Sequence, residues 1–176
     1  MVQMMAFNIY STQWGTGAVV YNRIGLTGVL FPYRDERMLE EKLHERYGRV
    51  RLDETVGVKV CSTLELYFSG ERVQFNEKTD LSCRSQFEKT VYDMLKAIPY
   101  GETITYGTLA ELCGSPRAAR AVGNAMRKNS TPIVIPCHRV LKSDGGIGGW
   151  SGKPGWKERL LAIEGSKLIV DNVELT

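Results

Sequence analysis

The spacing of hydrophobic positions changes once along the chain, near residue 80. Before that point Met5–Thr12, Gly17–Tyr21 and Ile24–Phe31 are short runs rich in β-branched and aromatic residues. Gly and Asn turn signals separate them, so they predict strands. Asp35–Tyr47 is densely charged and predicts an exposed helix. Val56–Phe68 places Val60, Leu64 and Phe68 at helical spacing and stops at Gly70. Strands with interleaved helices predict an α/β domain over residues 1–80. Cys61 falls inside the second helix and reads as core, because a buried free cysteine behaves as a small hydrophobe.

Polar residues Asn76–Asp80 read as a linker, and the pattern beyond them is helical. Ser85-Gln86-Phe87-Glu88 is a capping box, with Phe87, Val91, Met94 and Leu95 as the apolar stripe behind it. Pro99 and Gly101 end that helix. A short helix is expected from Tyr106 to Cys113, and Gly114 turns the chain. Ser115 is expected to cap a second helix that has Pro116 at its first position and reaches about Lys128. Two helices joined by a tight Gly-containing turn are a helix-turn-helix candidate. Residues 81–176 are thus expected to form a mainly α domain.

In the second of these helices Arg117, Arg120, Asn124 and Arg127 share one face, and Val122, Ala125 and Met126 suit the buried side. Ala118, Ala119, Ala121 and Gly123 keep the helix slim, so its backbone could approach a groove closely. A helix packed on a neighbour through small residues would look similar. The unopposed basic face favours nucleic acid.

The chain has 176 residues, 43% of them apolar and 24% charged, which argues against disorder and fibrous repeats. No apolar run approaches the ~20 residues of a membrane helix, and no basic residue precedes Arg23, so a secretory signal is not expected. The net charge of +3 is small but uneven. Residues 1–80 hold 10 Lys+Arg against 11 Asp+Glu, and residues 81–176 hold 13 against 9. Between 115 and 142 lie Arg117, Arg120, Arg127, Lys128, Arg139 and Lys142 with no acid. That run is a candidate phosphate-binding surface.

Cys61, Cys83, Cys113 and Cys137 are scattered without a CxxC pair or clustered histidines, which excludes zinc-finger spacing. Chemistry concentrates at Pro132-Ile133-Val134-Ile135-Pro136-Cys137-His138-Arg139-Val140. A β-branched run between two prolines presents a cysteine with a histidine beside it, and neighbouring basic groups promote the reactive thiolate. In an extended segment Cys137 and His138 would point to opposite faces, so a bridging water is expected between them. Glu164, in the following helix, is the best candidate to orient His138.

Pro136-Cys137-His138-Arg139-Val140 resembles the active-site motif of the O6-alkylguanine-DNA alkyltransferases, the methylated-DNA–protein-cysteine methyltransferases. The resemblance runs in order through Pro99-Tyr100-Gly101-Glu102, Thr105-Tyr106, Arg117-Ala118-Ala119-Arg120-Ala121-Val122-Gly123, Ala125-Met126-Arg127 and Asn129. It continues at Gly148, Ser151-Gly152, Lys157 and Leu160-Leu161-Ala162-Ile163-Glu164-Gly165. Residues 1–80 match only in general plan.

The resemblance implies a ribonuclease-H-like α/β first domain and a winged-helix-like second domain. It implies direct, irreversible transfer of the alkyl group from O6-alkylguanine in duplex DNA to Cys137, once per molecule and with no cofactor. Glu164 would orient His138, which would deprotonate Cys137 through water. Arg120 would take the place of the flipped nucleotide. Tyr106 would help rotate that nucleotide and give a proton to the leaving guanine. Asn129 would support the active-site turn, the backbone at Cys137 and Val140 would recognise the base, and Trp150–Ser151 would hold its O6 edge. Ala118, Ala119, Arg127 and Lys157 complete the implied DNA and substrate contacts. Double-stranded DNA is the implied partner of a monomer, in the cytoplasm or, in a eukaryote, the nucleus.

Two departures from the family pattern bear on these expectations. Trp150 stands where many members have tyrosine, which leaves the pocket wall open. The cysteines and histidine that bind zinc in some members have no counterparts, so no structural zinc is expected and His44 reads as solvent-facing. Two rival readings are a module that binds alkylated bases without repairing them, which the presence of Cys137 disfavours, and a Cys-His hydrolase.

Overall fold

The structure, a computed structural model, describes residues 5–148, 150 and 152–166. The chain divides into two compact units. One takes the residues up to Cys83 together with Ser130–Val134, and the other takes Arg84–Asn129 and the residues from Ile135 onward.

In the first unit β1 (Met5–Thr12), β2 (Gly15–Tyr21), β3 (Leu26–Tyr33) and β4 (Val50–Leu52) form one sheet in the order β3-β2-β1-β4. The first three strands are antiparallel, and β4 joins β1 in parallel. Helix α1 (Glu36–Tyr47) is capped by Asp35, whose side chain accepts from the Arg37 amide. It buries Leu39 and Leu43 against Ala18, Val20 and Leu30 on one face of the sheet. His44 is exposed on this helix, with Nδ1 3.0 Å from the Gly48 carbonyl. On the other face Tyr10 stacks on Phe68 of α2 (Val58–Phe68), at 5.9 Å between ring centroids. Cys61 is buried in the same helix. Tyr10 lies across its strand partner Gly17, where any Cβ would overlap its ring, and its hydroxyl donates to the Leu30 carbonyl.

The third strand starts and ends two residues later than the hydrophobic run indicates. Asn22 organises the turn before it by accepting from the amides of Ile24 and Gly25, so Ile24 is used up in the turn. The expected linker is tied down: Leu26 N donates to Lys78 O, and Asp80 N donates to Leu26 O.

In the second unit α3 (Gln86–Ala97) begins with the expected capping box, in which Ser85 and Glu88 bond reciprocally. Its buried stripe is Val91, Tyr92 and Leu95, with Glu88 at its head. Strand β5 (Ile104–Thr105) pairs in parallel with β6 (Val140–Leu141). Helices α4 (Tyr106–Leu112) and α5 (Ala119–Arg127) follow β5, and α6 (Trp156–Ile163) comes after β6. Helix α5 starts later than Pro116. Residues 115–118 close a turn of their own through Ala118 N to Ser115 O, so Ser115 does not cap the helix and Ala118 occupies the cap position. Tyr92 OH donates to Ala125 O at 2.8 Å, which joins α3 to α5.

Candidate active site

Every described residue of the candidate site belongs to the second unit. After α5 the chain passes through Ser130–Val134, which packs with the first unit, and returns at Ile135. Ile133 has φ of +74°, a left-handed conformation that costs a β-branched residue roughly 1–3 kcal/mol. The Asn129 amide fastens the two ends of this excursion. Its Nδ2 donates to Ile135 O at 2.8 Å and to Cys137 Sγ at 3.2 Å.

Cys137–Arg139 forms one turn of 3₁₀ helix, so the extended geometry expected of the motif does not hold. Pro136 interrupts the run, Cys137 N donates to Ile135 O, and Arg139 N donates to Pro136 O. Cys137 is only 2% exposed. Burial pushes its pKa up, while Trp150, Asn129 and the Lys157 charge act in the opposite direction. Trp150 contributes an Nε1–H at 3.4 Å from the sulfur. Two N–H donors aimed at the sulfur favour the thiolate once the proton has left.

His138 is fully buried, and its Nε2 lies 2.7 Å from Glu164 Oε1. An ionised carboxylate can only accept, so Nε2 carries the proton and Nδ1 holds the basic lone pair. Burial pushes the imidazole pKa down, against the opposing pull of Glu164. Burial alone would raise Glu164, but hydrogen bonds from His138 and Arg139 outweigh it and hold the carboxyl well below the usual range. Arg139 grips Glu164 at both oxygens, with Nε on Oε2 at 2.9 Å and Nη2 on Oε1 at 3.0 Å. Gly101 N adds a further bond to Oε2 at 3.1 Å.

Tyr106 opens α4 and is half-buried. A Cβ at Gly123 or Gly148 would stand 3.7 and 3.4 Å from its ring, so these glycines frame it. Burial, followed by the charge of Cys137, raises its hydroxyl pKa and keeps its proton in place. Val140 is buried, and its carbonyl accepts from Lys157. Trp150 is half-buried, and its indole ring passes over Gly152, where a Cβ would overlap it. Ser151 lies outside the described residues.

Lys157 departs from its expected place among the DNA contacts. It is 1% exposed, too deep for a phosphate, and its Nζ donates to Val140 O and Ile147 O at 2.6 and 2.5 Å. Burial brings its pKa down to about 8. The basic run also thins out. Arg139 is buried on Glu164, and Lys128 pairs with Glu88 of the capping box at 2.6 Å. Arg117, Arg120, Arg127 and Lys142 remain exposed, with Asn124 bonded to Arg127 on the same face of α5. Ala118 and Ala119 sit half-buried at the start of that helix. Sequence reasoning missed the role of Arg139, because nothing local signals that it turns inward to a carboxylate 25 residues away.

Residues 86–166 match the family model described as 6-O-methylguanine DNA methyltransferase, DNA binding domain. A methylated-DNA–protein-cysteine methyltransferase of Mycobacterium bovis is 42% identical over 135 residues, which cover 77% of this chain and 81% of the relative. The chain belongs to the methylated-DNA–protein-cysteine methyltransferase family. A further relative of that name, from Methanosarcina acetivorans, is 46% identical over 103 residues; the match spans 58% of this chain and less than two-thirds, 65%, of that relative. Among solved structures, Mycobacterium tuberculosis OGT in complex with DNA superimposes with a TM-score of 0.74 at 30% identity, covering 90% of this chain and 92% of that one. The family match begins at α3 and extends just past Glu164, so it takes in the whole of the cysteine, histidine and glutamate constellation of this methyltransferase-family chain.

Proposed function

We propose that this chain repairs O6-alkylguanine in duplex DNA by transferring the alkyl group to Cys137 in a single, irreversible turnover. The observation that carries this reading is a buried thiol whose sulfur accepts from Asn129 and Trp150, in a turn that also presents His138 bonded to Glu164. Nδ1 of His138 takes the Cys137 proton through a water. The thiolate then attacks the alkyl carbon as the carbon–O6 bond breaks. The electron pair leaves with guanine, and the Tyr106 hydroxyl supplies the proton that neutralises it. The product is a thioether, which offers water no easy hydrolysis, so the protein is consumed.

O6 is inaccessible within the base stack, so the nucleotide must flip out, at a cost of a few kcal/mol. Arg120, exposed on α5, fills the vacancy, and Arg117 and Arg127 hold phosphates. The backbone at Val140 and the Trp150 segment form the base pocket, and Lys157 holds the Val140 and Ile147 carbonyls beside it. The DNA-bound state of the Mycobacterium tuberculosis relative supports DNA as the partner. We read the first unit as ribonuclease-H-like, supported by three antiparallel strands with a parallel fourth, and the second as winged-helix-like, supported by α4, α5 and the short β5–β6 sheet. The chain acts as a monomer, in the cytoplasm or, in a eukaryote, the nucleus.

A duplex carrying O6-methylguanine labelled in its methyl group tests the proposal. Stoichiometric label on the protein is the expected result. Bound but unaltered DNA would indicate a recognition module, and release of label over many turnovers a hydrolase.

A further inference from the structure

Arg139 follows the reactive dipeptide, and the transfer scheme above gives it no task. Its guanidinium is nevertheless bonded through all three nitrogens. It spans both oxygens of Glu164 and places Nη1 2.6 Å from Ile98 O. The Tyr100 ring lies 5.9 Å from the guanidinium, and the Tyr100 hydroxyl is committed to Ile163 O. A charge buried this far and bonded in this way fixes the protonation of whatever it touches.

We propose that Arg139 is a positioning residue for alkyl transfer: it neutralises the buried Glu164 carboxylate, so that His138 stays uncharged with its proton on Nε2 and Nδ1 remains the basic nitrogen. This inference rests on the alkyl-transfer reading. With Arg139 present, a neutral imidazole, a carboxylate and a guanidinium sum to zero charge. Without it, the buried pair of His138 and Glu164 would carry an uncompensated negative charge. Isolated buried charges are expensive, so the pair would take up a proton. That proton would land on Nδ1, where it satisfies the carboxylate through the ring and removes the base.

Other groups face this pair. Lys157 is close enough to oppose protonation of His138, but its amine is spent on Val140 O and Ile147 O. Cys137 precedes His138 in the same turn, and the Gly101 amide donates to Glu164 without carrying charge. Arg139 is the cation that bonds both carboxylate oxygens, so its removal changes the charge of the pair most directly.

Single-turnover methyl transfer measured from pH 5 to pH 9 tests the proposal, with circular dichroism to verify folding. Arg139→Met is expected to move the acid limb of the rate profile up by about one pH unit or more, with the rate recovering at high pH. Arg139→Lys, which keeps the charge, is expected to hold the limb near that of the unsubstituted protein. An Arg139→Met limb that coincides with the unsubstituted one, whatever the overall rate, overturns the proposal, because a purely structural role would scale the profile without shifting it. If Arg139→Met does not fold, Arg139→Gln takes its place, keeping a donor for Glu164 without the charge; its limb is expected at higher pH, and a limb coincident with that of the unsubstituted protein overturns the proposal. Absence of transfer in the unsubstituted protein would instead remove the alkyl-transfer reading itself.

Discussion

The indole Nε1–H of Trp150 points at the sulfur of Cys137 from 3.4 Å, although the two lie thirteen positions apart in the chain. Together with Asn129 Nδ2 at 3.2 Å it supplies the donors that offset the desolvation of the thiol. Trp150→Phe keeps an aromatic wall and removes one donor. The expected result is a higher thiol pKa and roughly tenfold slower methyl transfer near neutral pH, with DNA affinity little changed. Thiol titration by the ultraviolet absorbance of the thiolate, followed by single-turnover kinetics, checks both halves.

Arg120→Ala addresses base extrusion. The side chain is exposed on α5, on the face opposite Val122, Ala125 and Met126. Repair of a duplex is expected to fall far more than reaction with free O6-benzylguanine, because a free base has no stack to leave. Equal losses on the two substrates would deny Arg120 this task.

The ion pair between Lys128 and Glu88 sets up a contrast between two adjacent cations. Arg127→Gln is expected to make the plot of log K against log salt shallower by about 0.9, the value for one lost phosphate contact. Lys128→Gln is expected to change the slope much less, because Glu88 already engages the ammonium. The Glu88 carboxyl, held below its usual range chiefly by Lys128, would rise in that variant. Filter binding across a salt series distinguishes the two.

His138 gives the fold a defined pH dependence. Burial holds its folded-state pKa below the unfolded value of about 6.5. The unfolded chain therefore binds more protons than the folded one as pH falls through that value, and stability drops with falling pH. The contribution is fully present above about pH 6.5 and is lost progressively toward the lower folded pKa. Glu164, also depressed, withdraws its contribution at still lower pH, beginning below about 4.3. Urea unfolding of the unsubstituted protein is expected to show a lower midpoint at pH 5 than at pH 7. His138→Gln is expected to flatten that interval.

Local signals in the sequence were dependable where local physics decides structure. The Ser85–Glu88 capping box and the Val60, Leu64 and Phe68 stripe depend on neighbours within a turn or two, and the structure has them where spacing puts them. The late start of α5 and the left-handed Ile133 were not legible, since both answer to packing that no short window contains. The inward turn of Arg139 and the burial of Lys157 were hidden for the same reason. A basic residue reads as surface until its carboxylate or carbonyl partners arrive from elsewhere in the chain. The distance between His138 and Glu164 in sequence did not obscure their pairing, because Glu164 in the following helix was already the candidate to orient the imidazole and the resemblance implied the same role.

Whether Cys137 itself accepts the alkyl group is read from mass analysis of its peptide after incubation with excess O6-methylguanine duplex. One methyl group on Cys137 per protein molecule, restored guanine in the DNA, and neither change in Cys137→Ser are the predicted results. An unmodified Cys137 peptide alongside repaired DNA, or repair by Cys137→Ser, would rule out Cys137 as the acceptor.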